Sequence, residues 1–113
     1  MIYTASEARQ VALDKREVYD EIAILEPLIL DAIAAGALTV TIGPDSDPAV
    51  TTGFMNESVH YLAYSDPLTN RTDAHKKAVA QMNEVINHFQ SLGYTVTREK
   101  VDGQNKFNWL VSW

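Results

Sequence analysis

From Ala8 to Ala32 the apolar positions fall in alternating steps of three and four: Ala8, Val11, Lys15, Val18, Ile22, Leu25, Ile29 and Ala32. This is a heptad seam with one defect, at Lys15, and a seam of that length asks for one long helix. Thr4 with Glu7 three residues on makes a capping box, and Gly36 supplies the left-handed stop. The predicted helix therefore covers roughly residues 5 to 35 and spans about 45 Å, more than a chain of 113 residues ordinarily covers. Pro27 lies inside it, lacks a donor and crowds the carbonyl four residues back, which predicts a kink or two abutting helices.

The remaining chain has shorter periods. Leu38 to Ile42 alternates strictly and is rich in β-branched residues, predicting a strand with Leu38, Val40 and Ile42 inward. Gly43 to Pro48 is turn chemistry. From Ala49 to Tyr64 no period prevails, and Val59, Tyr61 and Leu62 fit either a short helix or a strand. A second main helix is expected from about Thr72 to Leu92, with Val79, Met82, Val85, Ile86 and Phe89 as its apolar stripe and Gly93 as its stop. Two strands follow, Tyr94 to Val101 and Lys106 to Trp113, joined through Asp102-Gly103. The last places Phe107, Trp109, Val111 and Trp113 on one face. The order predicts a single α+β domain over residues 1–113, a small, mainly antiparallel sheet of about three strands packed by two main helices on one side.

Charge restricts the partners. Nine acids against three bases within residues 1–48 account for the whole net charge of −6, and no Lys/Arg cluster exists to displace counterions from a phosphate backbone. Nucleic acid is not expected as a partner, nor is a membrane, since no run approaches the apolar length of a spanning helix. Zero cysteines exclude disulfides, thiolate nucleophiles and Cys-based zinc sites. With no basic and apolar leader at Met1 to Ala5, the expectation is a soluble chain made in a cytoplasm.

No residue set announces catalysis. His60, His75 and His88 lack the one-turn spacing of a metal pair and read as surface or partly buried structural residues. Asp45-Ser46-Asp47 lacks the glycine and terminal glutamate of a calcium loop, and reads as a turn bonding its own backbone. Asp20 and Glu21 read as a solvated face. No nucleophile elbow or phosphate-cradling glycine loop is present. The expectation is a non-enzymatic chain without metal or cofactor.

Two segments carry a family likeness. Leu92-Gly93-Tyr94-Thr95-Val96-Thr97-Arg98, a short turn, then Phe107-Asn108-Trp109-Leu110-Val111-Ser112-Trp113 resembles small structural proteins encoded by tailed phages of marine cyanobacteria. The stretch from Leu28 to Ile42 is similar to the same group, and together the segments cover about half of the chain. The resemblance implies a virion or virion-assembly component working within a symmetric oligomer, carries over no active-site residue, and leaves residues 44–71 unmatched.

The leading expectation is accordingly a homo-oligomeric structural or assembly protein whose partners are itself and other virion proteins. Its interface is expected on the part of the long helix that outruns the sheet, at Ala8, Val11, Val18 and Ile22, and at Trp113, which as the last residue of the sequence calls for something to hold it. The alternative is a small-ligand or peptide-binding module with a pocket between the sheet and residues 49–64, lined by Phe54, Tyr61 and Tyr64.

Overall fold

Thr4 opens the first helix, accepting from the Glu7 backbone N–H at 3.2 Å while its hydroxyl donates to the Glu7 carboxylate at 2.8 Å. In the computed structural model, which describes residues 2–66, 72–101, 103 and 106–113, this helix is α1, Ala5–Ala34. It ends where Gly36 turns to φ 83°, so that Gly36 and Ala37 donate to the carbonyls of Ile33 and Ala32 at 3.0 Å each. It runs through Pro27 as one element rather than two. The carbonyl that Pro27 leaves without a donor belongs to Ala23, and both residues lie on the exposed side of the helix, where water can serve it.

Strand β1, Thr39–Ile42, follows, then helix α2, Ser58–Ser65, helix α3, Asp73–Gln90, and strands β2, Thr95–Lys100, and β3, Phe107–Ser112. The unassigned stretch before Tyr64 thus resolves into a loop and α2. The fold is α+β, with all pairing antiparallel in the order β1-β3-β2. Val40 and Val96 flank Val111, and Ile42 and Arg98 flank Trp109. That register puts Phe107, Trp109 and Val111 on one face, each fully buried. The opposite face carries Thr39, Thr41, Thr95 and Thr97 around Leu110 and Ser112. The helices therefore cover one face only. Leu38 departs from its inward expectation: it precedes the strand and is 72% exposed. The expected turn at Asp102 lies outside the described residues, while Gly103 has φ 73°.

One apolar cluster joins the layers: Val18, Leu25 and Ile29 from α1, Met82, Val85 and Phe89 from α3, and the inner face of the sheet. The buried seam of α3 is His75, Ala78, Met82, Val85 and Phe89, with Val79 and Ile86 at its margin. Two of the three histidines are thus core residues, not the surface or partly buried ones expected, because His60 and His75 are 0% and 1% exposed. Asn108 is buried as well, and Gly43 packs so tightly on it that a Cβ there would run into the Asn108 side-chain oxygen.

Candidate functional site

The most polar part of the interior is built around Glu21, which departs from its expectation as a solvated residue. Only Asp20 is exposed; Glu21 is 1% exposed. Three steps after Val18 and four before Leu25, it stands on the buried seam itself. Its carboxylate accepts from the Trp109 indole at 2.9 Å, from the Phe54 backbone N–H at 3.2 Å and from the Thr52 hydroxyl. One side chain thereby ties α1 to the loop before α2 and to the central strand. Burial pushes its carboxyl above the ordinary range, against the opposing pull of the Thr52, Trp109 and Phe54 donors.

His60 lies in a second polar group. Its ring stacks on Phe54 at 4.1 Å between centroids, and its Nε2 is 3.0 Å from Gln81 Oε1. Gln81 Nε2 donates to the Asp14 carbonyl and the Glu17 carboxylate at 3.1 and 2.9 Å, which leaves Gln81 Oε1 to accept and assigns the His60 proton to Nε2. Nδ1 is then a buried lone pair without a hydrogen-bond partner among the described residues, 3.5 Å from a Glu57 oxygen. Burial lowers the His60 pKa, opposed by Gln81, Glu57 and Glu17 and reinforced by Lys77.

Beside these groups is a hollow of about 130 Å³ edged by Glu17, Asp20, Glu21, Phe54 and Glu57. Its charge repels anions. Among the described residues, no three His, Asp or Glu side chains are grouped to hold a metal ion. Phe54, Tyr61 and Tyr64, expected to line one pocket, make separate contacts. Phe54 is stacked on His60, whereas Tyr61 meets Tyr64 edge-on at 6.4 Å and the Arg98 guanidinium lies 5.1 Å above the Tyr64 ring. Tyr64 packs the junction of α2 with the sheet, its ring also meeting Phe107 at 6.2 Å.

The expected interface also needs correction. Val18 and Ile22 are 2% and 8% exposed within the chain, so they cannot meet a second copy without unpacking the core. Trp113 finds its support internally: it is half-buried, its backbone N–H donates to the Leu38 carbonyl at 3.2 Å, and its ring meets Tyr94 edge-on. Ala8 and Val11 remain accessible, as does every residue of α1 from Ala5 to Leu13. Lys15, the defect in the seam, points to α3 and pairs with Glu84 at 2.9 Å.

Seven of the accessible apolar residues of α1 have an order of their own, while Val11, Leu13 and Ile24 point elsewhere and Lys15 and Glu26 interrupt the stripe. Ala5, Ala8, Ala12, Tyr19, Ala23, Leu30 and Ile33 are all exposed, and at 3.6 residues per turn they share an arc of about 80°, roughly a third of a turn from the buried seam. Tyr19 and Leu30 are 64% and 62% exposed. Beside Leu30 a groove of about 190 Å³ opens between the ends of α1 and α3, lined by Glu26, Ile29, Leu30, Phe89, Leu92 and Tyr94. The sequence periodicity pointed to the buried seam because it is the stronger of two. The weaker one was present as the three-and-four spacing of Ala5, Ala8 and Ala12, but alanines are helix formers in any setting and mark no face by themselves.

Comparison with family models, with curated proteins and with solved structures gives no match. Among the described residues no helix is long and apolar enough to cross a membrane.

Proposed function

We propose that this chain is a non-enzymatic assembly protein that works as a homo-oligomer, in keeping with the virion component implied by its resemblance to phage structural proteins. The observation that carries the reading is the uncovered N-terminal part of α1: every residue from Ala5 to Leu13 is exposed, Val11 and Leu13 among them. As the first turns of α1 it is held by helix propagation and the Thr4 cap, and its exposed side chains gain burial only from a further surface. Among the described residues α3 borders it only at Val11, where Lys77 and Ala80 line the same hollow, and a second apolar surface, at Leu30 and Leu92, also lies open. Closed symmetry between identical copies covers both surfaces at once.

The test is the solution mass of a variant with Tyr19→Asp and Leu30→Asp, measured by light scattering next to the unaltered chain. Both side chains are exposed, so the variant is expected to keep its far-ultraviolet dichroism and lose the oligomer. An unaltered chain with the mass of one copy, or an oligomer indifferent to both changes, contradicts the reading.

A further inference from the structure

We infer that the oligomer's basic unit is a two-fold dimer in which α1 of one copy lies antiparallel to α1 of the other, with Tyr19 at the symmetry axis. This rests on the self-association proposed above and adds the face, the direction and the register.

The exposed stripe is graded. Its N-terminal members are small, Ala5, Ala8 and Ala12, and its C-terminal members large, Leu30 and Ile33. Ala8 and Leu30 stand eleven positions before and after Tyr19, about 16 Å along the axis in either direction. An antiparallel pair centred on Tyr19 therefore sets Ala8 of one copy against Leu30 of the other and Ala5 against Ile33, small against large at both ends. A parallel pair sets alanine on alanine, leaving a gap, and leucine on leucine. The same alignment lays the uncovered N-terminal turns of each copy along the other's groove between Leu30 and Leu92, the place where apolar surface lies open.

Charge selects the same direction. All three bases of α1, Arg9, Lys15 and Arg16, precede Tyr19 together with the acids Glu7, Asp14 and Glu17, whereas only acids, Asp20, Glu21, Glu26 and Asp31, follow it. Lys15 and Glu26 are engaged by Glu84 and His88 of their own chain. Arg9, Arg16, Asp20 and Asp31 are exposed and have no ion-pair partner among the described residues. About the Tyr19 axis, Arg16 comes within two positions of Asp20 of the second copy, and Arg9 within two of its Asp31, on the same flank of the stripe. A parallel two-fold pair puts these residues of the two copies on opposite flanks of the contact, where the charges gain no partner.

The chain has no cysteine, so introduced thiols report the geometry without background. Tyr19→Cys is expected to oxidise to a covalent dimer, since the axis brings the two thiols within bridging distance. A chain carrying both Ala8→Cys and Leu30→Cys is expected to cross-link, and neither single variant is; the two positions are about 33 Å apart within one helix and cannot bridge internally. Arg16→Asp is expected to raise the dimer's Kd about tenfold, with recovery when Asp20→Arg is added. Efficient self-linking of Leu30→Cys alone, or dimer mass without any of these cross-links, overturns the antiparallel register while leaving self-association standing. A chain that is a single copy in solution overturns both.

Discussion

A buried carboxylate facing no cation is costly unless donors surround it, and Glu21 meets that condition through Thr52, Phe54 and Trp109. Glu21→Ala removes the acceptor that all three share and opens a cavity, so a loss of about 3–5 kcal/mol is expected in chemical denaturation. Glu21→Gln keeps the size and cannot ionise. Because burial holds the folded Glu21 pKa above 4.5, the folded chain keeps a proton that the unfolded chain releases; this contribution is whole below that pH and is lost as pH rises through the folded value. The stability gap between the unaltered chain and Glu21→Gln should therefore narrow on going from acid to neutral pH, and a gap that widens contradicts the assigned direction. His60 has the opposite sign. Its folded pKa lies below 6.5, so its contribution is whole above that value and is lost as pH falls toward the folded pKa. Thermal melts from neutral to mildly acidic pH should show a shallower decline for His60→Gln than for the unaltered chain; equal slopes would contradict the assignment. Glu21 was legible in the sequence, three residues from one core position and four from the next. Charge argued for solvent, and the donors that make burial tolerable come from Thr52 and Trp109, far along the chain.

At the level of elements, α1 carries two faces with different fates. Its buried half pairs with α3 and the sheet through Val18, Leu25 and Ile29; every residue of its first turns, from Ala5 to Leu13, is exposed. Amide exchange at residues 5–13 should therefore slow as protein concentration rises, since protection there depends on a second copy; exchange independent of concentration would mean that the segment frays alone. The β1 end is fixed differently. Gly43→Ala drives a methyl into the Asn108 side chain and within 2.9 Å of its Cα, and a loss of about 1–3 kcal/mol is expected in denaturant titration. The boundaries of α1, α3 and the three strands followed from capping residues and alternation. Helix α2 did not, because its eight residues are too few to show a period and Phe54, His60 and Tyr64 are placed by contacts with distant elements.

The whole molecule measures 48 × 31 × 20 Å, and its long axis matches the length of a 30-residue α1. A sheet of three short strands cannot cover a helix that long, which is why the length of the seam pointed to self-association, while the seam residues Val18 and Ile22 are buried within the chain itself. Periodicity reports that a helix buries a stripe; it does not say whether the neighbour belongs to the same chain. Sedimentation velocity of the unaltered protein across a wide dilution series at low and moderate salt tests the self-association most directly. The expected result is a discrete species of about twice 12.6 kDa that gives way to single chains only on strong dilution, and sooner as salt screens the Arg16 and Asp20 pairs. A species of one chain's mass at every concentration would contradict it.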